Sequence, residues 1–222
     1  MSEPVRAESP LVEIDMDRWA IDAGELTAVL LGERRFCGHY NLRGDVADST
    51  FTQAVSDCLG VTLPATNMTD SAGECTALGL GPNEWLIVSV NDDESRLAEL
   101  KAALAGHFAN VVRLSSGQTL ITVGGERAAD LLAKGTPLDL HVQAFPVGRC
   151  AQTVLAKAGV LIHRVNVNAF DVVVRRSFAD YLWQWLEDAA LEFHDHSDRS
   201  EHGSGAAVPL PPNVNDVSHE QA

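Results

Sequence analysis

Apolar residues follow two rhythms along the chain, one with a period near 3.6 and one near two, and the alternation between them predicts a mixed helix and strand order. Phe36 to Leu42 reads as a strand. A helix follows from about Thr50 to Leu59, with Phe51, Val55 and Cys58 on one face, Thr50 and Gln53 as a capping pair and Gly60 as its stop. Glu74 to Leu80 and Glu84 to Val90 are β-rich runs joined by Gly81-Pro82-Asn83, residues suited to a tight turn. Residues 95 to 108 set Leu97, Leu100, Leu104 and Phe108 on a helical stripe, and Val111 to Leu114 returns as a strand. The order over 36–114 is β-α-β-β-α-β, the split-βαβ pattern.

A related order then starts again. Thr119 to Val123 reads as a strand, Glu126 to Lys134 as a helix ended by Gly135, and Arg149 to Ala156, Val160 to Val167 and Phe170 to Val174 as strands. A closing helix carries Phe178, Tyr181, Leu182, Trp185, Leu186 and Ala189 on its apolar stripe, with Ser177 and Asp180 at its start, and ends near Phe193. The pattern predicts an α+β fold of two similar, ferredoxin-like lobes, about 36–114 and 118–193, joined near Ser116 and Gly117. On the closing helix, Trp183 lies about 160° from Trp185 at ~100° per residue. If Trp185 faces inward, Trp183 faces outward, which makes Trp183 a candidate interface residue together with Trp85 and Arg175.

Composition sharpens this picture at the two ends. The 222 residues carry a net charge of −15. Residues 1–25 hold seven acids and two bases, and residues 194–222 five acids and one base, so the ends account for −9 of that charge. Residues 1–25 read as an acidic segment, 26–193 as the folded domain, and 194–222, rich in Ser, Gly, Pro and charge, as a disordered acidic tail. An acidic field disfavours nucleic acid. No apolar run approaches the ~18 residues that span a bilayer, and Met1-Ser2-Glu3-Pro4 does not open a secretory leader, so the expected location is the cytoplasm without membrane contact.

Each chemically suggestive group has a plainer reading. Cys37, Cys58, Cys75 and Cys150 form no CxxC pair, which favours buried thiols over zinc or redox chemistry. Cys37 with His39, or Cys150 with His163, would need an orienting group and an oxyanion site to act as nucleophile and base, and packing is the simpler role. His194, His196 and His202 are spaced for chelation but lack an evident fourth ligand. Gly124-Gly125 has too few glycines for a pyrophosphate cradle. Arg43-Gly44-Asp45 reads as a strand-ending turn, and Arg175-Arg176 end a strand just before a helix.

Three stretches carry a family resemblance: Asn41-Leu42-Arg43-Gly44-Asp45; Leu80-Gly81-Pro82-Asn83-Glu84-Trp85-Leu86; and the long segment from Ala133 through Asp139-Leu140-His141, Phe145-Pro146-Val147-Gly148-Arg149-Cys150-Ala151-Gln152-Thr153 and Arg175-Arg176-Ser177-Phe178-Ala179-Asp180-Tyr181-Leu182-Trp183. Over roughly 26–193 the chain resembles the gamma subunit of heterotetrameric sarcosine oxidase, with Asn83 where that family more often has Asp. The resemblance implies a fold similar to the folate-binding region of glycine-cleavage aminomethyltransferase. It also implies alpha, beta and delta partner subunits holding FAD, FMN, NAD, zinc and tetrahydrofolate, none of them in this chain. The assembly would demethylate sarcosine oxidatively to glycine, forming H2O2 and passing the one-carbon unit to tetrahydrofolate. In the transferases a Gly-rich hairpin is followed by a carboxylate, whereas Ala158 to Val165 here brings no acid until Asp171. The expected role is an accessory, non-catalytic subunit; the alternative is an autonomous folate-binding one-carbon-transfer protein.

Overall fold

A computed structural model describes residues 7–14 and 28–194, with only the backbone of His194. Most of the acidic first segment and the tail from 195 onward, with His196 and His202, lie outside the described residues.

Among the described residues, ten strands form two antiparallel five-stranded sheets. Their elements in chain order are β1 (Leu30–Arg34), β2 (Gly38–Arg43), α1 (Ser49–Leu59), β3 (Thr69–Ala72), β4 (Cys75–Gly81), β5 (Glu84–Ser89), α2 (Glu94–Ala103), β6 (Asn110–Arg113), β7 (Gln118–Gly124), α3 (Ala128–Ala133), β8 (Cys150–Leu155), β9 (Ala158–Asn166), β10 (Ala169–Arg175) and α4 (Ala179–His194). The first sheet runs β3-β4-β5-β2-β6 and the second β8-β9-β10-β7-β1. Aligned position by position, each has a βαββαβ strand order with one extra edge strand, so the two-lobed α+β expectation holds.

The lobe boundary does not fall where a contiguous division would put it. In the first lobe, β6 follows α2 and closes the sheet beside β2. In the second, the place beside β7 is filled by β1, from the opposite end of the chain, with Leu30 against Gly124 and Arg34 against Leu120. The second lobe is therefore 118–194 plus β1, and Arg35-Phe36-Cys37 is the crossover between the sheets. β1 holds a Gly and two charged residues in five, and the short β3 (Thr-Asp-Ser-Ala) is almost wholly polar, so neither shows a strand rhythm.

The sheets stack face to face between two helical layers. Phe51, Val55, Trp85, Ile87 and Leu100 pack the first sheet against α1 and α2. Ile121, Phe170, Val172, Leu182 and Leu186 pack the second against α3 and α4. Leu78, Leu86, Val88, Leu120, Leu161 and Val173 fill the seam between the sheets. Central strands are thus buried on both faces, which is why Trp85–Val88 and Val172–Val174 read as unbroken apolar runs.

Helix ends differ from the pattern in two places. The cap of α1 is Asp48, whose Oδ1 accepts from the N–H groups of Thr50 (2.9 Å) and Phe51 (3.2 Å); Gln53 instead donates to Asp57 at 2.7 Å. Its stop is Gly60, as expected, at φ 74°. The second helix ends at Ala103, and Gly106 at φ 94° turns the chain out of helical register. Phe108, expected on the buried stripe, is therefore 98 % exposed.

Candidate functional site

The motif stretches converge. Asn41 Nδ2 and Arg43 Nη2 each donate to Glu84 Oε1 at 2.8 Å, the Gly44 N–H donates to the Asn83 carbonyl and the Val46 N–H to Asn83 Oδ1 at 3.2 Å. Asn83 holds the Arg-Gly-Asp turn against the β4–β5 hairpin, and a groove of about 760 Å³ opens there beside Asp45, His107 and Phe108. A second groove, about 270 Å³, opens at the mouth of the seam between the sheets, and residues from all three motif stretches line it: Asn41, Leu80, Leu86, Gln152, Thr153 and Arg175. A small cavity of about 40 Å³ lies next to it, lined among others by Arg34, His39, Gln118 and Arg176.

The second sheet also carries buried charge: Arg34, His163 and Asp171 on the seam face, Glu33 and Arg164 on the helix-facing side. Glu33 is buried, accepting from Thr119 Oγ1 at 2.5 Å and from Ser9 Oγ, with Arg35 Nε at 3.3 Å. Arg34 pairs with Asp171, and His163 Nδ1 lies 3.9 Å from the same carboxylate while its Nε2 meets Thr69 Oγ1 at 3.3 Å. Arg164 is 2 % exposed; it donates to the carbonyls of Val167 and Leu140 and sits 4.3 Å over the Phe170 ring. It fixes the loop before β8 to β9. None of these roles has a sequence signal beyond a charged residue inside an apolar run, which marks Arg164 and Asp171 but not Glu33 or Arg34.

The proposed nucleophile pairs do not form. Cys37 Sγ faces the Arg34 carbonyl at 3.5 Å, and burial pushes its thiol up to about 11. Cys150 stands opposite His163 in the β8–β9 register, but its thiol points to the carbonyls of Met68 and Gly79 (3.5 and 3.8 Å), and burial raises it to about 11 as well. Burial pushes His39 and His163 down to about 4; for His39 this outweighs a weaker pull from the Cys37 backbone, and neither of its ring nitrogens has a well-formed hydrogen bond. Burial raises Asp171 to about 6 against the pull of Arg34. Near pH 7 the thiols are protonated, the imidazoles are neutral and the Asp171 carboxyl is engaged by Arg34. Among the described residues no three His, Cys, Asp or Glu side chains gather as metal ligands, and no helix is long and apolar enough to cross a membrane. The Gly124-Gly125 turn enters α3, a helix of six residues.

Two of the three candidate interface residues need correcting. Trp85 is fully buried in the first lobe, its indole N–H donating to the Pro64 carbonyl at 2.8 Å. Trp183 is also fully buried, and Trp185 is the half-buried one. The inward face of α4 is Ala179, Leu182, Trp183, Leu186, Ala190 and Phe193. Because α4 is flanked by the sheet on one side and by α3 and Gly135 on another, its apolar arc is wide enough to take both tryptophans. Only Arg175 is exposed.

Two ferredoxin-like lobes packed sheet to sheet define an aminomethyltransferase-like fold. Glycine cleavage system aminomethyltransferase T from Bartonella henselae superposes with a TM-score of 0.54 over 72 % of this chain and 45 % of that one, at 15 % identity, a likeness of fold. The chain belongs to the sarcosine oxidase, gamma subunit family, whose model matches residues 43–192. It is 34 % identical to the sarcosine oxidase subunit gamma of Corynebacterium sp. (strain U-96) over 78 % of this chain and 86 % of that one. To that of Arthrobacter sp. it is 37 % identical, over 75 % and 82 %. A chain of the heterotetrameric sarcosine oxidase from Corynebacterium sp. U-96, solved in complex with pyrrole 2-carboxylate, superposes with a TM-score of 0.76 at 30 % identity, covering 89 % of this chain and 99 % of that one.

Proposed function

We propose that this chain is the accessory, non-catalytic gamma subunit of a heterotetrameric sarcosine oxidase. It docks in the cytoplasm on alpha, beta and delta chains that hold FAD, FMN, NAD, zinc and tetrahydrofolate. That assembly demethylates sarcosine to glycine with formation of H2O2 and one-carbon transfer to tetrahydrofolate, and this chain contributes shape. The observation that carries the reading is the state of its interior: Cys37 and Cys150 pushed up to about 11, His39 and His163 pushed down to about 4, and Asp171, the first acid after the β8–β9 hairpin, tied to Arg34. A carboxylate engaged with a guanidinium and sealed in a seam is poorly placed to assist a developing iminium.

Two measurements test it. The purified chain, given sarcosine or tetrahydrofolate with a one-carbon donor, turns over nothing, and calorimetric titration with tetrahydrofolate gives no stoichiometric heat. Co-expressed with the three partner chains, it is recovered in one complex with sarcosine oxidase activity. Turnover by the lone chain, or tight folate binding to it, replaces this reading with an autonomous one-carbon enzyme.

A further inference from the structure

The groove at the mouth of the seam has features that a filled structural seam does not need. Its floor is apolar, made by Leu86, Leu161 and Val173, which are themselves buried. Its rim carries Arg175 and Gln118, and the Gln118 Oε1 atom is buried without a hydrogen-bond partner. Arg175 is exposed and followed by Arg176, also exposed. Elsewhere in this chain of net charge −15, the guanidinium groups of Arg34, Arg35, Arg43, Arg96, Arg113 and Arg127 each meet a carboxylate, Arg164 donates to two carbonyls and Arg149 meets the Met68 sulfur. Among the described residues neither Arg175 nor Arg176 meets a carboxylate. Three positions further along the chain, Phe178 is 41 % exposed. An exposed arginine over an apolar depression suits a protein interface.

We infer that this groove seats a loop of a partner chain, which inserts one apolar side chain between the two sheets and presents a neighbouring carboxylate to Arg175. The inference rests on the gamma-subunit reading and names the partner chemistry that reading leaves open. A protein loop suits the site better than a free small molecule. The groove, about 270 Å³, is open to solvent and small for a drug-sized ligand. A carboxylate is the complement of an unpaired guanidinium, which it can meet with two parallel hydrogen bonds. An amide N–H from the same loop would satisfy Gln118 Oε1, an acceptor that burial otherwise leaves at a cost.

Gly159 supplies a clean probe. It lines the groove on β9, and a Cβ built there meets nothing within 4 Å, so a side chain added at this position enters the groove without disturbing the fold. The test titrates purified variants onto the partner subcomplex and reads the dissociation constant, with thermal melts confirming that each variant folds. Gly159→Trp, which fills the groove, and Arg175→Glu, which reverses its charge, weaken association tenfold or more. Arg175→Lys, which keeps the charge but loses the fork, falls between them and wild type. Lys101→Glu, on α2 in the outer helical layer of the first lobe, leaves binding unchanged. Undiminished association of both Gly159→Trp and Arg175→Glu overturns the inference and leaves the gamma-subunit reading standing. Failure of the wild-type chain to associate removes both. Saturable binding of N-acetyl-leucine to the free chain, with assembly indifferent to the two variants, assigns the groove to a small apolar carboxylate and also overturns it.

Discussion

His39 is 1 % exposed and sits in the seam with no well-made hydrogen bond to its ring. Its folded-state value near 4 lies below the ordinary 6.5, so between those values the unfolded chain binds a proton that the folded chain refuses, and stability falls as pH drops from 6.5 to 4. His163 acts in the same direction. Asp171, raised from 3.8 to about 6, acts in the opposite one, binding its proton more readily when folded. Two histidines outweigh one carboxyl, so acidification destabilises the protein. In His39→Leu one of the two histidine contributions is gone, so urea melts between pH 5 and 6.5 show a shallower loss of stability on acidification, with stability at pH 7 within about 1 kcal/mol of wild type because no well-formed ring hydrogen bond is lost. A slope as steep as wild type would contradict this assignment. The Arg34–Asp171 pair makes a second test. Arg34→Met strands the carboxyl and destabilises by roughly 3 kcal/mol, whereas adding Asp171→Leu recovers most of that loss in a double-mutant cycle.

Among the elements, α4 shows best what the sequence reveals and what it hides. Its existence follows from spacing, but its rotation is not legible. Leu182 and Leu186 belong equally to a stripe through Trp185 and to one through Trp183, and the choice is made by neighbours that no local window contains. Gly135, after α3, leaves room for the edge of Trp185: a Cβ there would lie 2.5 Å from the indole Cη2 and 2.9 Å from Leu155 Cδ1. Gly135→Ala therefore destabilises by about 1–3 kcal/mol, and Trp185→Leu in the same chain relieves most of it. Additive losses would show that the two do not touch. The β4–β5 hairpin and the Gly60 stop were readable because turn and cap chemistry is local. The grooves were not, since each joins residues from distant strands.

At the scale of the whole molecule, the βαββαβ order of the first lobe, the related order that follows it and the junction near Ser116 and Gly117 were legible, while β1 was not. Its partner lies more than ninety positions away, as Leu30 against Gly124. Removing residues 1–35 should leave the N–H and C=O groups along one side of β7 unpaired and open a sheet edge in the second lobe. Such a truncated chain is expected to aggregate or self-associate in size-exclusion chromatography, whereas removing residues 195–222 leaves the melting temperature within a few degrees of wild type. A monodisperse, fully stable product of the first truncation would mean that β1 is dispensable.

The borrowed strand also sets an order of events at the ribosome. The segment that completes the second sheet is translated before the other described strands, yet it has no docking edge until β7 has emerged. Loop-closure entropy over that separation makes the pairing slow, so β1 must pass most of translation unattached while the first lobe forms beside it. A nascent chain arrested just before residue 118 would leave β1 open to protease, and one arrested after α4 has cleared the exit tunnel would protect it.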